Sequence, residues 1–202
     1  MLQKPITTGI LILLALTVSI PAFSSDQGQI IGGSTNSPVR IEVFSDFQCP
    51  ACRDLYLGAI RQVLQDYSSN GKVCVIYHEF PLAVHQYGKE AARYSEAASR
   101  LGLQSLLMVF DSLFADQAQW SQDGNLDAVI AKALPRDEYR KLKKVIQDPS
   151  INQSIDKEIQ LGTKKEIKST PTMFFYYAGK EQKVEGAVTY ATMKQFLDSV
   201  IK

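Results

Sequence analysis

The chain has little of what would mark several common functional classes. Of its 202 residues three are cysteine, two histidine and one tryptophan, and Lys plus Arg number 22 against 21 for Asp plus Glu. Charges so balanced, and interspersed along the chain, argue against a nucleic acid or an anionic membrane surface as partner. The two histidines, His78 and His85, are poorly spaced to complete a zinc site, and no second Cys-x-x-Cys exists to complete one without them. Three cysteines are an odd set, whereas a disulfide-stapled scaffold uses an even one. Internal repeats and low-complexity tracts are also missing.

What is present starts with an unusual N-terminus. Lys4 is the sole charged residue before Asp26, Ile10 to Ile20 is almost wholly apolar, and Pro21 is followed by Ala22-Phe23-Ser24. A positive start, an apolar centre and a small-residue exit form the pattern of a secretory signal, so residues 1–24 are expected to be a signal peptide cleaved near Ser24. An uncleaved membrane anchor is the alternative, with Ile6 to Phe23 near the lower length limit for a span. Export would place the cysteines in an oxidising compartment, whose proteins need catalysts that make or repair disulfides.

Residues 25–37 read as a linker rich in Gly, Ser, Asn and Gln, with one short edge strand at Gln29-Ile31. Val39 to Phe44 is β-prone. From Ala51 the apolar positions Cys52, Leu55, Tyr56, Ala59, Ile60, Val63, Leu64 and Tyr67 fall at helical spacing, with Pro50 in the first turn and Asn70-Gly71 as the stop. Lys72 to Phe80 is the next strand, nearly continuous in apolar character, as in a parallel pair buried on both faces. Helices are expected over 86–101, 103–115, 126–134, 137–146 and 151–167, with 116–125 a polar, loop-like segment around Trp120. Thr172 to Tyr177 returns to strand composition, a turn at Ala178-Gly179-Lys180 leads into a strand over 182–188, and Thr189 caps a final helix. The order is βαβ, a helical insert over about 86–167, then ββα. This is an α/β chain with the thioredoxin-like order over 38–202 and an inserted helical subdomain.

The chemistry centres on Cys49-Pro50-Ala51-Cys52, placed where a strand hands over to a helix. At a helix N-terminus, unpaired N–H groups and the helix dipole stabilise a thiolate, so Cys49 is the expected nucleophile. Cys52, one turn later and more buried, would resolve the mixed disulfide and pair with Cys49. An inert structural disulfide or two core thiols are the plain alternatives. Cys74 sits mid-strand among Val and Ile and is expected to be buried and inert. His78 and His85 can tune a nearby thiolate, though structural or surface positions suit them equally. Trp120 is expected in the core by default.

Ser45-Asp46-Phe47-Gln48-Cys49-Pro50-Ala51-Cys52 resembles the active-site stretch of the bacterial DsbA-like thiol–disulfide oxidoreductases of the thioredoxin superfamily. Glu79-Phe80-Pro81-Leu82, Leu113-Phe114 ahead of Trp120, and Thr170-Pro171-Thr172 agree with that family, over about Ile30 to Ile201. The resemblance implies that Thr170-Pro171 is a cis peptide beside the active-site cysteines, with Pro50, Ala51, Thr170 and Pro171 as their neighbours. It implies no metal and no cofactor. Two departures stand out. Relatives often carry a buried acid six residues before the first cysteine, where this chain has Val43, and the neighbouring Glu42 should point to the opposite face. Ser169 stands where relatives often have Gly.

The family implies exported cysteine-containing proteins as substrates, and a membrane redox partner of the DsbB or vitamin K epoxide reductase kind. A dithiol oxidase is the leading expectation, and a reductase or isomerase the competing one. Isomerases of this type commonly carry an N-terminal dimerisation domain, for which the short stretch before the first core strand leaves no room. A monomeric, exported, periplasmic or extracytoplasmic oxidase is therefore expected. A non-redox peptide-binding chaperone is the reading from another class.

Overall fold

The structure is a computed structural model and describes residues 28–201. The expected signal peptide lies outside the described residues. Among those described, no helix is long and apolar enough to cross a membrane.

Two parallel strands form the centre. β2 (Val39–Ser45) pairs with β3 (Val73–Glu79), every residue of β3 being buried. Parallel neighbours need a crossover, and residues 50–68 supply it as a helix, α1, built of Pro50–Leu55, a π turn Tyr56–Ile60, Arg61–Val63 and a second π stretch Leu64–Ser68. The wider turns keep Cys52, Leu55, Tyr56, Ala59, Ile60, Val63 and Tyr67 facing inward, while Leu64 is only half-buried. β1 (Gln29–Gly32) runs antiparallel to β3 at one edge, so the expected edge strand extends one residue further. On the other side β2 pairs antiparallel with β4 (Thr172–Tyr177), and β4 with β5 (Lys180–Glu185), giving the order β1-β3-β2-β4-β5.

β5 starts and ends earlier than its composition suggests. Ala178 and Gly179 both take positive φ, 47° and 74°, which closes the hairpin in a two-residue turn and brings Lys180 opposite Tyr177. The strand then stops at Gly186, whose N–H donates to the Pro171 carbonyl at 2.8 Å.

Between β3 and β4 come α2 (Gly88–Ser99), α3 (Leu103–Ala115), α4 (Gln117–Asp123), α5 (Leu126–Ala133), α6 (Arg136–Val145) and α7 (Ser150–Lys164). α4 corrects the loop expected over 116–125. Its local sequence is polar, but Trp120 is fully buried, with Nε1 donating to the Leu113 carbonyl at 2.7 Å, and Gly124 at φ 71° ends the helix. Tertiary packing of one large ring overrides weak helix propensity here.

α8 (Tyr190–Val200), capped by Thr189, packs beside α1. α7 covers the opposite face through a smaller cluster of Phe44, Phe80, Ile167 and Phe174. Its approach depends on Gly162, where a Cβ would lie 2.4 Å from the Phe80 ring.

Candidate active site

The site forms where β2 ends and α1 begins. Ser45 is the last residue of β2, Asp46 to Gln48 turn the chain, and Cys49 is the N-cap of α1 with Pro50 at the first helical position. A proline there costs no hydrogen bond, because that N–H has no partner within a helix. The Cys49 carbonyl accepts from the Cys52 and Arg53 N–H groups, each at 3.1 Å, so the cap is fixed by the helix itself.

Cys49 and Cys52 are not joined by a disulfide in this structure. Cys49 is 7% exposed and Cys52 1% exposed, so Cys49 is the one with a face to solvent. The Cys49 Sγ donates to the Thr170 carbonyl at 3.3 Å. Thr170-Pro171 is a cis peptide, and its loop brings residues distant in sequence against the thiol. The Cys52 Sγ accepts from the Asp46 N–H at 3.4 Å.

The two thiols are driven apart electrostatically. A hydrogen bond from the Cys52 side chain is the strongest influence on Cys49 and, with Thr170 and the N–H groups of Ala51 and Cys52, holds its thiol down to about 5 against the opposing effect of burial. Burial, followed by the hydrogen bond and charge of Cys49, pushes Cys52 far up. One sulfur is thus set to be a thiolate and the other a thiol.

The loop carrying Cys49 is held by groups that sequence reasoning did not assign. The Asp46 side chain is fully buried and accepts from Gln48 N at 2.8 Å, Leu82 N at 2.7 Å and His85 Nδ1 at 2.6 Å. Gln117, on the unexpected helix α4, donates to the carbonyls of Phe47 at 2.6 Å and Cys49 at 3.0 Å. Gln48 Oε1 accepts from Tyr87 N at 2.7 Å. Asp46 was visible inside the motif, but its three partners are 2, 36 and 39 residues away, and no spacing rule joins them.

The remaining candidates fall elsewhere. His85 reaches the loop through Asp46, whereas His78 lies under α7, stacked on Phe44 and 2.5 Å from Glu158. Glu42 also faces α7, among Arg40 (3.2 Å), Tyr176 (3.2 Å) and Lys165 (3.6 Å), while Val43 faces the α1 side. Cys74 is buried mid-strand. Among the described residues no cluster of His, Cys, Asp and Glu can hold a metal ion.

Comparison with known proteins agrees with this geometry. A family model described as thioredoxin matches residues 25–199. A probable disulfide bond formation protein D of Bacillus cereus is 24% identical over 160 residues, covering 76% of this chain and 71% of that protein. Among solved structures, alpha-DsbA1 of Wolbachia pipientis superposes with a TM-score of 0.69 at 20% identity, covering 84% of this chain and 88% of that one. Oxidised BdbD from Bacillus subtilis gives 0.67 at 20% identity, covering 87% and 97%. At these identities the superpositions speak for the fold.

Proposed function

The chain belongs to the thioredoxin family, and from that premise we propose that it is a DsbA-like thiol–disulfide oxidoreductase acting as a dithiol oxidase on exported proteins. In its disulfide form, a substrate thiolate attacks the Cys49 sulfur and Cys52 departs. A second substrate thiolate then attacks the substrate's own sulfur in the mixed disulfide, forming the substrate disulfide and releasing Cys49 as a thiolate. Two electrons pass to the Cys49–Cys52 pair, and a membrane partner of the DsbB or vitamin K epoxide reductase kind takes them on.

The observation that carries the direction is the opposition of the two thiols, with Cys49 held at about 5 and Cys52 pushed up. A sulfur that is comfortable as a thiolate is a good leaving group and a weaker nucleophile, which stabilises the reduced form and favours oxidation of the partner. The name of the Bacillus cereus relative, a disulfide bond formation protein, supports the same direction. Export rests on the N-terminal sequence pattern of residues 1–24. Pro171 and Thr170 serve as the backbone wall against which the substrate segment lies.

The test is the equilibrium reduction potential against glutathione. A value near about −120 mV supports an oxidase, and one near about −270 mV turns the assignment to a reductase. A Cys49→Ser variant that retained the biological activity would instead support a peptide-binding chaperone.

A further inference from the structure

Among the described residues, Val84 is the most exposed large apolar side chain, at 83% against 50% for Leu103 and 39% for Ile30. It lies in the loop 81–87, which joins β3 to α2 and contains no Asp, Glu, Lys or Arg. Leu82 is half-buried and Ala83 exposed, so three consecutive apolar residues reach the surface together.

One exposed valine by itself needs no explanation. This loop, however, is built onto the turn that carries Cys49. The Phe80 N–H donates to the Ser45 carbonyl at 2.8 Å, so the loop starts where β2 gives way to that turn. The buried Asp46 carboxylate accepts from Leu82 N at 2.7 Å and His85 Nδ1 at 2.6 Å, and Gln48 Oε1 accepts from Tyr87 N at 2.7 Å. Within the loop, His85 N donates to the Leu82 carbonyl at 2.9 Å and Gly88 N to the His85 carbonyl at 3.1 Å. Gly88 seats the end of the loop on the same carboxylate, since a Cβ there would lie 2.8 Å from Asp46 Oδ1. Ala83 and Val84 are the part left projecting from this frame. An apolar group ordered before contact gives up little entropy when it is covered.

The strand order fixes what lies across from the loop. β2 runs between β3 and β4. Cys49 follows β2, the cis Thr170-Pro171 bond precedes β4, and loop 81–87 follows β3, all at one end of the sheet. Cys49 is therefore flanked by Pro171 on one side and by the loop on the other. Neighbouring strands are about 4.8 Å apart and an extended chain advances about 3.3 Å per residue. A segment laid across Cys49 thus brings the residue about two or three positions from its own cysteine over the loop.

The chemistry of the loop selects its occupant. A bilayer gains little from one valine, and the loop offers no lysine or arginine to an anionic surface. A second copy of the chain would need about 800 Å² from each partner, far more than three short side chains supply. An extended polypeptide needs only one apolar side chain to meet the loop, because its exchanging sulfur already holds it at Cys49.

Resting on the thiol-exchange reading above, we propose that Leu82-Ala83-Val84 is a specificity subsite, which receives an apolar side chain two or three residues from the reacting cysteine of an exported polypeptide. The subsite makes and breaks no bond. It holds the segment while the sulfur exchange proceeds at Cys49.

The experiment is single-turnover attack on the oxidised full chain by two blocked peptides, each with one cysteine. One carries leucine at the second and third positions on either side of that cysteine, and the other carries serine there. Glutathione is the reference thiol. Covering part of an exposed valine is worth about 5-fold, so the leucine peptide should react about 5-fold faster than the serine peptide at low concentration. Val84→Ser should remove most of that advantage and leave the serine peptide, glutathione and the Cys49 thiolate titration unchanged, while Val84→Leu should keep it. Equal rates for the two peptides, or a leucine preference that Val84→Ser leaves intact, overturn the subsite. Binding to phosphatidylglycerol vesicles that Val84→Ser abolishes assigns the loop to a bilayer and overturns it as well. Absence of any exchange with glutathione by the wild-type chain overturns the reading of function beneath it, an outcome separate from these.

Discussion

Cys49 and Cys74 are the same side chain at two ends of the electrostatic range. Cys74 lies mid-strand on the α7 side, with the Arg40 cation near enough to favour its thiolate, yet burial pushes its thiol up, assisted by the Glu42 carboxylate. Cys49 gains no such cation among the influences on it and is still drawn down to about 5 by the Cys52 thiol, the Thr170 side chain and the N–H groups of Ala51 and Cys52. The thiolate here is favoured by neighbouring hydrogen-bond donors around a helix start, and one cation across a strand does not match them. The other face carries its own cluster of polar side chains, Glu42, His78, Glu158 and Lys165. They serve to bury polar side chains beneath α7.

The comparison breaks most directly by exchanging the cysteines. Cys49→Ser should bring glutathione exchange below detection, while Cys74→Ser should leave its rate unchanged, as measured by stopped-flow reduction. Next in size is Asp46→Ala, which strips three donors of a buried acceptor. It should cost about 3 kcal/mol by denaturant unfolding and slow exchange by loosening the loop before Cys49. Gln117→Ala removes both donors to the Phe47 and Cys49 carbonyls and should cost about 2 kcal/mol in the same assay. The smallest effect is on the side of Cys74. Glu42→Gln can keep its contact with Tyr176 while losing the ion pairs with Arg40 and Lys165, so a change of about 1 kcal/mol or less is expected, with no change in exchange rate.

The parts of this arrangement legible in the sequence are those built from neighbouring residues. The strand Val39–Ser45, the cysteines at a helix start and the apolar run Val73–Glu79 declare themselves through period and composition. Cys74 in the middle of that run is equally plain. The supports of Cys49 are not, because Asp46, Leu82, His85 and Gln117 meet only when the chain has folded. α4 was hidden for the same reason, since its one large apolar residue, Trp120, is too little to set a period. Glu79 looked like part of a short recognisable stretch, and only the β2–β3 register reveals that it stands opposite Ser45.

The central claim is that the donors around Cys49 hold its sulfur as a thiolate. Its folded pKa, about 5, lies below the usual value of about 8.5 for a free cysteine, so the group stabilises the reduced fold fully above the unfolded pKa. That contribution declines as pH falls towards 5. Cys52, pushed up, stays a thiol in the folded state, and its unfolded thiol ionises only towards about 8.5, where it begins to offset this gain. The reduced protein should therefore gain stability relative to the oxidised one between about pH 5 and pH 8.5. The most direct measurement is the ultraviolet thiolate titration of the reduced chain, with Cys49→Ser as the blank. A midpoint near 5 that vanishes in the variant is the result expected, and a midpoint near about 8.5, the value of an unperturbed thiol, contradicts the account.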